Sequence, residues 1–377
     1  MGEGLAPRSS LGEIAALFLR IGATAFGGPA AHIAVMEEEC VRRRAWLTRE
    51  AFLDFVGAAN LIPGPNSTEM AMHIGHLRGG IAGLLVAGCS FILPAAVMVT
   101  ALAAAYVRYG ALPAAAGMLA AVAPVVVVVV AQAVWNLGRS AARTPVLAVI
   151  GLGCIALTVA GVNELVVLAV GAAAALAMAR AQPPSRAAFA VPLVAQALPV
   201  AAGAGLVPLF FSFLKIGSVL FGSGYVLLAF FRAEYVDRLH WITARQLADA
   251  VAVGQFTPGP LFTAATFVGY LVRGLPGAAA ATAGIFLPAF LLVGVSGALL
   301  PVLRRSAAVR SALQGVTVAS LALMATVTVT LARDAFTSWP SVATALIAAV
   351  ALFRFRVNAS WLMLAAALTG LAIGALR

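Results

Sequence analysis

Three charged residues stand out for where they lie. Arg20 and Lys215 each interrupt an otherwise apolar run, and Glu69 follows directly on Pro63-Gly64-Pro65-Asn66-Ser67-Thr68. A charge at the centre of a membrane helix costs roughly 2.5–3.5 kcal/mol on insertion scales, and by default it marks an ion or proton site. Arg20 and Lys215 suit an anion. A simpler reading is that they snorkel to the interface or pair with a carboxylate such as Glu69. A buried Glu69 would be a candidate proton carrier; at the third or fourth position of a helix it would instead close a capping box. His73 lies four residues on along the same helical face, with His76 a turn further, and both suit either a proton relay or plain hydrogen bonding.

The glycines and prolines beside these charges carry a second kind of chemistry. Proline removes a backbone donor and disfavours helix in the residue before it, and glycine permits positive φ. Pro63-Gly64-Pro65 therefore ends one helix and starts another at Asn66-Ser67-Thr68, whose N–H groups point back at the break. A helix N-terminus carries roughly half a positive charge and binds anions. A second break falls at Phe26-Gly27-Gly28-Pro29, and matching breaks fall at Phe221-Gly222-Ser223-Gly224 and at Pro258-Gly259-Pro260, followed by Thr263. Converging on one point, these ends would hold a tetrahedral oxyanion by hydrogen bonds, with Arg20 and Lys215 nearby. The alternative is that the breaks only kink helices for packing.

Such breaks need a surrounding structure, and composition says which. The 377 residues are 63% hydrophobic and 10% charged, with a mean hydropathy of +1.03, whereas a soluble domain is about 25% charged. Nearly uncharged stretches at 81–106, 111–137 and 284–303 reach the roughly 20 residues a helix needs to cross about 30 Å of hydrocarbon. They lack the period-2 alternation of a β-barrel. The net charge of +11 is spread over loops, as at Arg42, Arg43, Arg44, Arg304, Arg305 and Arg310. That pattern suits orientation and anionic lipid headgroups rather than nucleic acid. Cys40, Cys89 and Cys154 show no pairing or metal spacing. Glu13 and Arg20 break up what would be the apolar region of a cleavable signal, so the first helix is expected to be retained.

An internal repeat sets the architecture. Phe18-Leu19-Arg20-Ile21-Gly22 recurs as Phe213-Leu214-Lys215-Ile216-Gly217, and the same offset of 195 carries Trp46 onto Trp241, Thr48 onto Thr243 and the first Pro-Gly-Pro onto the second. About 20 of the 62 positions from 18 to 79 match without a gap, Arg78-Gly79 falling on Arg273-Gly274. A one-residue slip then aligns Leu93-Pro94-Ala95 with Leu287-Pro288-Ala289. The expected organisation is an N-terminal repeat over 1–185, a linker over 186–205 and a C-terminal repeat over 206–377. Beside each Pro-Gly-Pro lie pieces of about 13 and 11 residues, too short to cross at about 1.5 Å per residue. They predict a re-entrant or broken-helix hairpin, tolerated at membrane depth only inside protein or along a cavity. The fold class is thus an all-α polytopic membrane protein of two homologous halves, each with about five spanning helices plus the hairpin. An odd number of spans inverts the second half, a recurring transporter plan.

No His-Glu-x-x-His, P-loop or Gly-x-Ser-x-Gly occurs, so no enzyme activity and no cofactor are expected, and transport would draw on an ion gradient or the membrane potential. Phe26-Gly27-Gly28-Pro29-Ala30-Ala31-His32, the Trp46 loop and Pro63-Gly64-Pro65-Asn66-Ser67-Thr68-Glu69-Met70 resemble the N-terminal half of the chromate ion transporter family. Phe221-Gly222-Ser223-Gly224-Tyr225 and Thr257-Pro258-Gly259-Pro260 resemble its C-terminal half, and the full duplication matches the long-chain, two-domain branch. The resemblance implies a secondary transporter in the bacterial inner membrane that exports chromate and confers resistance, with sulfate as mimic and competitor. A sulfate or other oxyanion carrier and an anion channel are the alternatives, separated by saturation and coupling. Membrane lipids are implied partners; a homodimer is compatible, though no residue pattern argues for it. Pro29 becomes Gly224 and Glu69 becomes Ala264 in the second half, so the first half is expected to carry more of the substrate chemistry.

Overall fold

The computed structural model describes residues 9–26, 28–110, 112–141, 144–180, 204–221 and 224–375. Gly27, Gly222, Ser223 and most of the expected linker lie outside them. The described residues are helical throughout, with no strand. The first half runs α1 (Leu11–Thr24), α2 (Gly28–Met36), α3 (Arg49–Ala59), α4 (Asn66–Tyr109), α5 (Pro113–Ala141), α6 (Pro145–Val159) and α7 (Glu164–Arg180). The second repeats the series as α8 (Leu206–Val219), α9 (Leu227–Phe231), α10 (Ala244–Phe256), α11 (Ala264–Arg305), α12 (Ala307–Ala335), α13 (Trp339–Phe353) and α14 (Ala359–Ala375). A π-helical turn extends α2 over Glu37–Arg43 and another extends α9 over Arg232–Arg238.

Local chemistry repeats with the sequence. Thr48 caps α3 by accepting from the Ala51 N–H at 3.2 Å, and Thr243 caps α10 by accepting from Gln246 N–H at 3.1 Å. Gln246 returns the bond to the Thr243 N–H at 2.8 Å, a closed capping box. Ala45 and His240, 195 apart, both take left-handed φ, 49° and 52°.

The two long helices are folded. α4 breaks at Gly79 and Gly80, the latter at φ 61°, and α11 breaks at Arg273 and Gly274, the latter at φ 60°. Without a side chain glycine reaches this region at no steric cost. Each break reverses the chain. Gly75 lies against the carbonyl of Gly83, and Gly269 against that of Gly277, so closely that neither has room for a Cβ. The expected hairpin is therefore α3 with the arm 66–78, followed by a separate long arm over 81–109; in the second half it is α10 with 264–272, followed by 275–305. Among the described residues four helices are long and apolar enough to cross a bilayer, in α4, α5, α11 and α12. Shorter apolar helices accompany them among the described residues, α6 and α7 in the first half and α8, α13 and α14 in the second.

The structure moves the register slip. The matched breaks are Gly80 and Gly274, and the matched contacts are Gly75 and Gly269, all 194 apart. The equivalence of Arg78-Gly79 with Arg273-Gly274 is thus replaced: Arg78 faces Val272 in the repeat. The first half has one residue more between its Pro-Gly-Pro and this glycine, and Glu69 lies in that interval.

The chain packs as two compact units, each drawing on both halves. One comprises Met1–Val107, Val200–Gly224 and Val253–Ala298. Its first-half core is built by Ile14, Phe18 and Ile21 of α1 against Met36, Trp46, Phe52, Ile74 and Phe91. The other comprises Arg108–Pro199, Tyr225–Ala252 and Leu299–Arg377. In it α5 packs on α13 and α14, while α12 packs on α6 and α7. Each long helix thus rests on the short pair of the other half. Small residues allow this: a Cβ on Gly117 would sit 2.5 Å from the Gly370 carbonyl, and one on Gly171 2.8 Å from that of Gly315.

Candidate functional site

Within the first unit the helix breaks of the two halves meet. α1 ends at Thr24, and Ala25 leaves it in extended backbone at φ −84°, ψ 108°; α8 ends at Val219, and Leu220 takes φ −82°, ψ 109°. These two residues are bound by the opposite Pro-Gly-Pro. Gly64 N–H donates to the Leu220 carbonyl at 2.8 Å, and Gly259 N–H donates to the Ala25 carbonyl at 3.1 Å. The two bonds are equivalent under the repeat and make a pair of crossed joints. Gly64 at φ 144° and Gly259 at φ 92° hold conformations that L side chains rarely adopt. The space beside them is filled in matched fashion: Ala289 lies 3.4 Å from a Cβ placed on Gly64, and Ala95 2.8 Å from one placed on Gly259.

Beyond the Pro-Gly-Pro the two halves differ. In the first, Pro65 and Ser67 are buried, Pro63 is half-buried, and the Pro65 carbonyl accepts from Thr68 N–H at 2.7 Å and Glu69 N–H at 3.0 Å. Asn66 does not cap the new helix; its side-chain amide donates to the side-chain Oδ1 of Asn60 at 2.7 Å. Thr68 and Glu69 are wholly buried, and the Thr68 hydroxyl and both Glu69 carboxyl oxygens have no hydrogen-bond partner among the described residues. The Glu69 carboxyl group fills the space a Gly64 Cβ would need. It closes no capping box. In the second half Pro258 and Pro260 are buried, a short 3-10 turn over Leu261–Thr263 precedes α11, and the Thr263 hydroxyl donates to the Pro260 carbonyl at 2.8 Å. Where Met72 meets Gly88 in the first half, Thr266 and Thr282 share a hydrogen bond of 2.7 Å.

The other expected residues fall around this core. Gly28, at φ 77°, opens α2 and Pro29 follows it, both half-buried, while Phe26 is exposed. Gly224 is buried at the start of its own 3-10 turn. His73 is buried and stacks on Phe55, ring centroids 5.2 Å apart. Arg20 turns to Glu39 at 2.6 Å rather than to Glu69, and its side chain is 51% exposed. Arg43 reaches the same carboxylate at 3.0 Å, and Arg44 joins them. This π-turn lies outside the candidate spans. Burial pushes the Glu39 carboxyl up, but hydrogen bonds and charge from Arg44 and Arg20 outweigh it and hold Glu39 below the usual carboxylate range. Lys215 is half-buried at the matching place on α8.

Sequence reasoning missed His32. It is 1% exposed, and its Nε2 lies 3.0 Å from the Ala25 carbonyl, the acceptor also used by Gly259. Its ring meets Phe91 edge-on at 5.4 Å. The one signal available was its place in the Phe26-to-His32 motif. No group of His, Cys, Asp and Glu among the described residues is arranged to hold a metal.

Two matched sets of broken helices, crossed inside a helical multi-pass membrane protein, define a transporter architecture. The chain belongs to the chromate transporter family, whose model matches it twice, at residues 12–177 and 207–371. It is 31% identical to the chromate transport protein of Cupriavidus metallidurans, over 97% of this chain and 94% of that protein. It is also 31% identical to the chromate transport protein of Pseudomonas aeruginosa, over 76% and 73% of the two chains. An uncharacterised transporter of Methanocaldococcus jannaschii is 27% identical over 83% of this chain and 82% of that one. No solved structure matches the chain.

Proposed function

We propose that the protein is a secondary active transporter that exports chromate across the bacterial inner membrane and confers chromate resistance. The observation that carries this reading is the reciprocal crossing of Gly64 with Leu220 and Gly259 with Ala25. It brings broken backbone of both halves together, and at membrane depth such backbone persists only inside protein or along a cavity. The names of the relatives supply the substrate. In this reading the segments Phe26–Pro29, Pro63–Thr68, Gly222–Gly224 and Pro258–Thr263 cradle the oxyanion, with Arg20 and Lys215 adding positive charge. Glu69 carries the coupling proton, with His73 on the same face. Support for Glu69 is its burial without a hydrogen-bond partner among the described residues, since an ion left so is costly and a group that exchanges a proton is not. The halves 1–185 and 206–377 act as an inverted pair joined by 186–205. Chromate is a dianion, so its exit from a negative-inside cell is favoured by roughly 2.3 kcal/mol per charge per 100 mV.

The test is chromate accumulation in a chromate-sensitive bacterium expressing the wild type, Arg20→Ala or Glu69→Gln, with and without a protonophore and excess sulfate. Lower accumulation with the wild type, abolished by protonophore and by either substitution, is expected. Unchanged accumulation with well-expressed wild type overturns chromate export and turns attention to sulfate uptake.

A further inference from the structure

The two crossed joints are equivalent in backbone but not in their acceptors. At one, the Leu220 carbonyl has a single donor among the described residues, Gly64 N–H at 2.8 Å. At the other, the Ala25 carbonyl has two: Gly259 N–H at 3.1 Å and the buried imidazole of His32 at 3.0 Å. A carbonyl only accepts, so the His32 Nε2 carries the hydrogen. The counterpart of His32 in the second half is Leu227, which has no polar atom to offer.

This difference decides what each joint costs to open. Water is scarce at membrane depth, and a backbone carbonyl that loses its partner there is penalised heavily. Parting Gly64 from Leu220 leaves the Leu220 carbonyl with no donor among the described residues. Parting Gly259 from Ala25 leaves the Ala25 carbonyl still bonded to His32. We propose that the Ala25–Gly259 joint is the one that opens during transport, and that His32 is the positioning residue that keeps the Ala25 carbonyl satisfied while it is open.

The proposal rests on the crossing being the transport site but not on which anion passes, and its test needs no substrate. Ala95 and Ala289 pack against Gly259 and Gly64 and are 0% and 1% exposed, so each reports on one joint. In a background with Cys40, Cys89 and Cys154 changed to Ala, Ala95→Cys and Ala289→Cys are introduced singly, and modification by N-ethylmaleimide is timed in membranes. Ala95→Cys is expected to react about tenfold faster, the difference one orphaned carbonyl makes to an opening equilibrium. His32→Leu should slow Ala95→Cys about tenfold and leave Ala289→Cys unchanged. His32→Gln, whose amide nitrogen reaches the position of Nε2, should restore the rate. Equal or reversed rates, no reaction at either site, or His32→Gln behaving as His32→Leu would each overturn the proposal. If His32→Leu does not fold, the comparison of the two reporters in the His32 background decides alone. A failed chromate assay with this labelling pattern intact would count against the substrate and not against the moving joint.

Discussion

Gly75 lies against the carbonyl of Gly83, eight residues further along the same chain, and a Cβ on either would collide with the other's backbone. In an unbroken helix those residues would stand about 12 Å apart, at about 1.5 Å per residue. Their contact is therefore the signature of the reversal at Gly80, and Gly269 with Gly277 repeats it around Gly274. Since the neighbour is backbone and cannot swing aside, Gly75→Ala and Gly269→Ala should each cost about 1–3 kcal/mol. A Cβ on Gly294 meets nothing within 4 Å, so Gly294→Ala should be neutral. Thermal unfolding of the purified protein in detergent, followed by loss of monodispersity, ranks the three. Equal melting points would mean that the arms do not pack as described.

Glu69→Gln removes the charge and keeps the shape. Because the Glu69 carboxyl makes no hydrogen bond among the described residues, the melting temperature should hold or rise slightly, while protonophore-sensitive transport disappears. A variant that transports normally and still responds to the protonophore would remove Glu69 from coupling. One that fails to fold would show instead that the carboxyl has a structural partner.

The Glu39 cluster predicts a pH dependence with a definite sign. The folded-state carboxyl titrates lower than in the unfolded chain because Arg44 and Arg20 favour its charged form. Its contribution is therefore complete above the unfolded value, about 4.3 for a free glutamate, and is lost as pH falls through the lower folded value. Glu39→Gln should melt several degrees below the wild type near neutral pH, and the gap should narrow below about pH 4. A gap that does not change with pH would place the effect in packing rather than charge.

Splitting the chain tests the intertwining of the repeats. α5 packs on α13 and α14, and α12 on α6 and α7, so neither half can bury its own long helix. Residues 1–190 and 191–377, expressed as separate chains, should be degraded singly and co-purify when made together. Stable, monodisperse single halves would show that each repeat is sufficient to itself.

Much of this molecule was legible from its residues. Composition set the solvent, because so few charged side chains cannot cover a water-facing surface. The identity at an offset of 195 announced the duplication, and proline and glycine chemistry located the breaks, since no other residues end and restart a helix so abruptly. The presence of Glu69 beside one break and its absence from the other was equally plain, but its burial was not. What the linear chain could not reveal was which break meets which. That Gly64 binds Leu220 and Gly259 binds Ala25, each across the repeat, depends on backbone groups that every residue carries, so no side-chain pattern encodes it. The partner of Arg20 was also beyond the linear chain: the carboxylate named from sequence was Glu69, and only the approach of α1 to the π-turn chose Glu39. His32 looked like a minor polar residue until the fold set its ring against the Ala25 carbonyl. Local propensity determines where a helix must break, but the partners of the freed backbone groups are decided by long-range packing.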